Sequence, residues 1–362
     1  MANIFQEIDG SILEGGGQVL RLSVALSALL KKPIRIRNIR GNRPKPGLKA
    51  QHSCGLQLVQ KLAGGKLTGC ELHSSQIEYD PANSQFPAEA SDFVQIKVPT
   101  SGATTLLAQI ALPVALFRPT ETTLDLHGGT NGDFAPTIEY YQQVFLPLIR
   151  SHFGLQVDCD LIKRCYNSPS GGGHIRLKVR PLRQGLPATT LLTTEQSENY
   201  QVFVHATSAG KVPLGVAKEM ALTASDVFEQ AAKDTQYEHV AKAAGNGSCV
   251  FVKAIVKADK AILASSGLGH PKSKPSATGR KVAMDLKSQL EHASRPLVDQ
   301  YAQDQLLIFM ALAHGVSQIR VGSELTLHTQ TAMHIIELLT EARFVVDDAV
   351  ITCKGIGFFQ KI

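Results

Sequence analysis

The chain has 362 residues, 43% of them hydrophobic and 19% charged, which is long enough for two or more domains around a sizeable core and typical of a globular protein. Its net charge of +6 is moderate, and the longest apolar stretch, Leu106 to Phe117, is too short to span a bilayer and is interrupted by Gln109 and Pro113. Six cysteines without C-x-x-C or zinc-like spacing read as free thiols, and the first residues lack the basic-then-apolar plan of a signal peptide, so cytosol or nucleus is the expected location.

In chain order, apolar periodicity predicts three similar units, each reading helix, short strand, charged or Gly-rich loop, second helix and two strands. The first has a helix from Gln18 to Leu30, a strand from Ile34 to Ile39, a basic loop, a helix from His52 to Ala63, and strands near Leu67 and Ile77. The second has a helix from Thr104 to Phe117 and a strand from Thr122 to Leu126. A loop from Gly128 to Pro136, a helix from Thr137 to Phe153, and strands near Val157 and Ile175 complete it. The third has a helix from Gln303 to His314, a strand from Gln318 to Val321, a loop holding His328, a helix from Thr331 to Ala342, and strands near Val345 and Ile351.

The second and third units lie much further apart than the first and second, so an inserted module is expected between them. Residues 1–183 and 284–362 would then form the three-unit core and 184–283 a smaller module. Within the module we expect strands from Tyr200 to His205 and Cys249 to Val256, a helix from Ala217 to Lys233, and a basic loop from His270 to Lys281. If the units share a pseudo-axis, their loops at 40–52, 128–136 and 327–331 converge on one cleft.

The charge pattern says what that cleft would hold. From Glu14 to Glu71 no acidic residue intervenes, while Arg21, Arg40, Arg43, Lys45 and Lys49 all fall in that interval. The glycine triplet Gly15–Gly17 opens a helix, where free backbone amides favour anions and a missing side chain allows close approach. Guanidinium groups bind phosphate bidentately, and Pro44 and Pro46 stiffen the loop that carries Arg43. Glu14 beside the triplet can hold a divalent cation, or it can simply complement the helix N-terminus. The G-x-x-x-x-G-K-[ST] loop, the Rossmann fingerprint and the K-x-D-G motif are all missing, so nucleotide chemistry would need another nucleophile. A neutral imidazole can supply one, and His328, followed by Thr329-Gln330-Thr331, is the candidate. Asp304 is read either as a ribose or base contact or as a helix N-terminal carboxylate.

These segments together resemble the RNA 3'-terminal phosphate cyclases over nearly the whole chain. The resemblance is carried by Asp9-Gly-Ser-Ile-Leu-Glu-Gly-Gly-Gly-Gln-Val-Leu-Arg21, by Ile39-Arg-Gly-Asn-Arg-Pro-Lys-Pro-Gly-Leu-Lys-Ala-Gln-His52, and by Gly128-Gly-Thr-Asn131. Two later segments, Asp304-Gln-Leu-Leu-Ile-Phe-Met-Ala-Leu-Ala313 and Leu327-His-Thr-Gln-Thr331, follow in the same order. It implies an α+β fold of three βαβαββ-type units, each a four-stranded sheet with two helices, carrying an inserted smaller α/β domain.

The resemblance also implies an ATP-dependent conversion of an RNA 3'-terminal phosphate to a 2',3'-cyclic phosphodiester, through adenylylated His328 and an adenylated RNA end. ATP would be the co-substrate, Mg2+ or Mn2+ the metal, and RNA with a 3'-terminal phosphate the partner. Glu14 would lie near the metal, and Arg21, Arg40, Arg43, His52 and Gln109 would line the nucleotide and phosphate site. Pro136, Tyr301, Asp304 and Gln305 would surround the adenosine. The loop from Arg164 to Gly173 looks one residue longer than the family pattern. The alternative is a catalytically inactive cyclase-like protein that binds RNA in ribosome biogenesis. Against it, this chain keeps the histidine and the Glu-Gly-Gly-Gly-Gln pattern which that branch lacks. An enolpyruvyl transferase shares only the expected fold.

Overall fold

The computed structural model describes residues 4–81, 91–166, 168–192, 200–228, 232–256, 261–292, 295–322 and 324–359. The first unit runs β1 (Gln6–Asp9), α1 (Gly17–Leu30), β2 (Ile34–Arg37), α2 (Ala50–Ala63), β3 (Lys66–Thr68) and β4 (Ile77–Asp80). The second runs β5 (Phe93–Lys97), α3 (Thr104–Leu116) and β6 (Thr122–Gly128), then α4, β7 (Val157–Lys163) and β8 (Gly173–Val179). Helix α4 starts at Ile138–Tyr140, passes through a π turn at Tyr141–Phe145 and ends as Leu146–Phe153. Their sheets have the orders β1-β2-β4-β3 and β5-β6-β8-β7. In each, the first pair is parallel and the other pairs antiparallel, so the two units share one topology.

The third unit repeats it with an interruption. Strand β9 (Thr190–Leu191) pairs in parallel with β14 (Val316–Arg320), and that sheet is completed by β16 (Val350–Lys354) and β15 (Arg343–Asp347). Its helices are α7 (Gln303–Leu312) and α8 (Leu327–Leu339). Between β9 and α7 the chain makes a fourth sheet from β10 (Tyr200–Ala209), β11 (Ala232–Val240), β12 (Gly247–Val256) and β13 (Ala261–Leu268), in the order β11-β10-β12-β13. Helices α5 (Leu214–Asp226) and α6 (Pro275–Leu290) pack on one face of that sheet and on each other. The α+β class expected from the sequence holds.

Several local expectations are corrected. Each unit opens with a strand that the periodicity did not mark; these strands are short, down to the two residues of β9. The helix expected to reach Lys233 ends at Asp226, and the segment beyond it pairs as β11 alongside β10. Half of the expected basic loop is helix, because Pro275 at the first position of α6 fits a helix start. Strand β9, within the expected 184–283 segment, belongs to a core sheet, and α6 runs past residue 283 on the fourth sheet.

Helices α1, α3 and α7 are apolar on nearly every side, since they meet one another and the second helices at the centre while the sheets lie outside. Val19, Leu26, Ala108, Leu112, Leu307 and Met310 are fully buried there. No helix among the described residues is long and apolar enough to cross a membrane.

Candidate functional site

The glycine triplet shapes the entry to α1. Gly15 adopts φ +56, a left-handed conformation that costs an L-residue energy, and turns the chain so that α1 starts at Gly17. A Cβ on Gly17 would lie 2.5 Å from His52 Nε2 and 2.8 Å from Arg21 Nη1, so only glycine lets those two side chains meet over the helix start. The Glu14 backbone N–H donates to Thr331 Oγ1 at 3.1 Å, and Arg43 Nη2 donates to the Glu14 carbonyl at 2.8 Å and also pairs with its carboxylate. The first unit's glycine turn, its basic loop and the third unit's second helix thus meet at one point.

His328 lies in the first turn of α8 and not in a loop before it. Thr326 caps that helix by accepting the Thr329 N–H at 3.0 Å, so the helical turn starts before the expected position. The Gln18 side chain connects the histidine to α7: its Oε1 is 3.0 Å from His328 Nδ1, and its Nε2 donates to Asp304 Oδ2 at 2.6 Å. When Asp304 is ionised its carboxylate takes the amide N–H2, Gln18 Oε1 faces the imidazole, and the proton sits on Nδ1, leaving a lone pair on Nε2. Partial desolvation lowers the His328 pKa; Glu14 pulls it upward, and Arg21 and Arg43 add to the depression. The ring therefore favours the neutral, nucleophilic form.

Beneath this point a cavity opens between α1, α3, α4 and α7. Its polar wall is Gln18, Arg21, Gln109, Asp304 and Gln305, and its apolar wall includes Leu22, Leu112, Phe145 and Phe309. Phe145 reaches it from the π turn of α4, a helix irregularity that recurs at functional sites. Burial pushes the Asp304 carboxyl up to about 7 against the opposing pull of Arg21, and burial lowers Arg21 itself. His52 is pulled down to about 3 by burial and by Arg21, Arg40 and Lys49, and its Nδ1 accepts the Lys49 N–H at 3.3 Å. Both histidines are thus held neutral beside guanidinium groups.

Glu14 Oε2, Arg21 Nε and Gln109 Oε1 are buried without a hydrogen-bond partner among the described residues. Buried polar atoms are almost always paired, so an open donor and acceptor on the cavity wall, with an open carboxylate oxygen near the start of α1, suit a ligand bearing both signs of charge. A carboxylate oxygen with no partner also fits a hard divalent cation.

The remaining expected site residues lie further out. Arg40, at φ +54, donates to the Lys45 carbonyl at 2.6 Å and to that of Gly47 at 3.4 Å, so it braces its own loop. The Pro136 carbonyl accepts from Thr105 Oγ1 at 2.8 Å. Tyr301 is 39% exposed, edge-on to Tyr140, and its carbonyl accepts from Nε2 of Gln305, which lines the cavity.

Two site residues were not expected from sequence. Gln18 was visible only as the last residue of the glycine pattern. Asp299 is 1% exposed and accepts from the Tyr301 and Ala302 N–H groups at 3.0 Å, from Ala264 N–H on β13 at 3.0 Å, and from the Tyr140 hydroxyl. It ties the fourth sheet and α4 to the turn that starts α7.

Comparisons with known proteins show the family. The family model described as RNA 3'-terminal phosphate cyclase matches residues 12–346. The chain belongs to that family. A "Probable RNA 3'-terminal phosphate cyclase" of Dictyostelium discoideum is 37% identical over 369 residues, covering 98% of this chain and 83% of the relative. The RNA 3'-terminal phosphate cyclase of Drosophila melanogaster is 34% identical, with 98% of each chain covered. That of Desulfurococcus amylolyticus is 31% identical, covering 97% and 98%. The matched span contains the fourth sheet as well as Glu14, Gln18 and His328.

A second polar cluster lies on the outer face of the second unit's sheet. Asp125, His127 and His174 bring ligand atoms within 4.8 Å of one another, a possible metal-binding set. Asp125 Oδ1 takes His174 Nε2 and Arg176 Nε at 2.8 Å, and Oδ2 takes Gln95 Nε2 and His127 Nε2 at 2.9 Å. Burial alone would raise the Asp125 pKa, yet bonds from His174, Gln95, Arg176 and His127 hold it below its usual range.

Proposed function

We propose that this protein converts an RNA 3'-terminal phosphate to a 2',3'-cyclic phosphodiester at the expense of ATP, with His328 as the covalent nucleophile. The observation that carries the reading is the Gln18 bridge between His328 Nδ1 and Asp304, which with the carboxylate ionised orients Nδ1–H inward and leaves a lone pair on Nε2, near polar atoms without a partner among the described residues. The relatives' names supply the reaction class.

In the first step His328 Nε2 attacks the α-phosphorus of ATP, a P–N bond forms, and the bond to the bridging oxygen breaks to release diphosphate. Gln18 holds the Nδ1 proton while the ring gains positive character, and Asp304 holds Gln18 in turn. Arg21, Arg43 and the α1 and α8 N-termini offset the phosphate charge. Glu14 would hold a divalent cation, which supplies further charge neutralisation. The RNA 3'-phosphate oxygen then attacks the adenylyl phosphorus, and the P–N bond breaks with its electrons returning to Nε2. Finally the vicinal 2'-hydroxyl oxygen attacks the RNA phosphorus, loses its proton to solvent, and AMP leaves. Gln109, Pro136, Tyr301, Asp304 and Gln305 line the path of the nucleotide.

The division of the chain belongs to the same proposal: three βαβαββ units form the catalytic core, and the elements from β10 to α6 form the inserted module. To test the chemistry, the protein is incubated with α-labelled ATP and a divalent cation, denatured, and examined for protein-bound AMP. An acid-labile label in the wild type that is absent from His328→Ala is expected. A label retained in His328→Ala would overturn the nucleophile, and no label in folded wild type would overturn the reading.

A further inference from the structure

One end of the fourth sheet carries a charge pattern that the adenylation site does not use. The register aligns the end of β10 (Ala209) with the start of β12 (Gly247) and with the end of β11 (Val240), and the end of β13 (Leu268) with Cys249. The turns at 210–213, 241–246 and 269–274 therefore crowd together, and Lys211 N–H donating to Asn246 Oδ1 at 2.8 Å links two of them. These turns present Lys211, Lys242, Lys272 and Lys274, all exposed. None of the four ammonium groups bonds to a carboxylate among the described residues. From Ala261 to Met284 there is no acidic residue, and Arg280 and Lys281 continue the exposed charge along α6. Glu219, the carboxylate on the facing helix, is engaged by the Ser276 N–H at 3.2 Å.

Contacts lead from this end to the cavity. Tyr166 N–H donates to the Ala244 carbonyl at 2.9 Å, and Ala244 N–H to that of Arg164 at 2.8 Å, which joins the basic end to the loop after β7. The adjacent Cys165 carbonyl accepts from Thr130 and Asn131 N–H groups at 3.2 and 3.1 Å. Their loop ends at Pro136, bonded to Thr105 on the first turn of α3, and Gln109 one turn later faces the cavity. The basic end thus lies on the same side of the core as the loop after β6.

We propose that this end of the fourth sheet docks the sugar–phosphate backbone of single-stranded RNA upstream of the 3' end. The inference rests on the proposed function for the identity of the ligand. Unpaired lysines on mobile stems, without an ordered base-reading pattern, suit phosphates in any sequence. The module would then hold the strand while the core acts on its terminus.

The test compares wild type with a Lys211→Gln/Lys242→Gln/Lys272→Gln/Lys274→Gln variant whose melting temperature is matched. Binding of a fluorescent single-stranded RNA of about 16 nucleotides with a 3'-phosphate is followed by anisotropy over a salt series. Losing four phosphate contacts should flatten the log K against log salt slope by about 3 and weaken binding at least ~10-fold at low salt. Binding of a 3'-phosphorylated dinucleotide and AMP labelling from ATP alone should not change. A Lys66→Gln/Lys97→Gln control, on outer strands of the core, should leave the slope near wild type.

An unchanged slope and affinity in the quadruple variant, or an equal loss in the control, would overturn the docking surface. Failure of the proposed function looks different: wild type would form no adenylate and close no RNA end, whatever the lysines do to affinity.

Discussion

Two of the polar clusters among the described residues have similar composition and opposite condition. On the outer sheet, Asp125 receives donors from two histidines, an arginine and a glutamine, and both of its oxygens are satisfied. In and beside the central cavity, Arg21 and Gln109 on its wall and Glu14 near the start of α1 each keep a buried atom with no partner among the described residues, although charges of both signs are close by. A saturated carboxylate stabilises a sheet, whereas unmet donors and acceptors hold a place for something else. Residue type alone does not separate the two, since Asp, His and Arg occur in both.

The comparison can be broken by experiment, and the largest effect should come from the cavity. His328→Ala should reduce protein-bound AMP by at least about a thousandfold, while His334→Ala, exposed further along the same helix, should keep nearly all of it. Gln18→Leu should slow adenylation by roughly 100-fold at unchanged fold, because the imidazole loses the partner that fixes its tautomer. Single-turnover labelling reads both. On the sheet, Asp125→Ala should cost about 1–3 kcal/mol in denaturant unfolding, since two histidines and Arg176 lose their acceptor. Labelling per folded molecule should be unchanged there; a hundredfold loss would show that the outer cluster serves the chemistry.

A smaller effect separates the clusters by pH. Asp304, raised to about 7, binds its proton more tightly folded than unfolded. Relative to Asp304→Asn, wild type should therefore gain stability as pH falls from 7 towards 4. Asp125, held low, does the reverse: its contribution is present above the ordinary carboxylate pKa and is lost as pH falls through its depressed value. Thermal melts against wild type, from pH 8 to 4 for Asp304→Asn and from pH 4 down to 2 for Asp125→Ala, would show the two signs.

The apolar helices α1, α3 and α7 were legible because burial on all sides leaves long hydrophobic runs. The opening strands β1, β5 and β9 were not, since two to five residues carry too little alternation to register. Glu14, Arg21 and His328 stand in distinctive local patterns. Gln18 and Asp299 do not, because what each does depends on partners far along the chain: Gln18 bonds across 286 residues to Asp304 and 310 to His328. A neutral amide between an imidazole and a carboxylate leaves no charge signature in sequence.

The interrupted third unit has a consequence for the order in which the chain assembles. Its first strand is synthesised early, yet Thr189 must wait for Ser317, 128 residues later, before it can bond. The first two units close over short spans, while the third pays the larger loop-closure entropy and depends on the module between. The helix bearing His328 belongs to that last unit, so the adenylation proposed for it should become possible only at the final folding event, after the rest of the core has already formed.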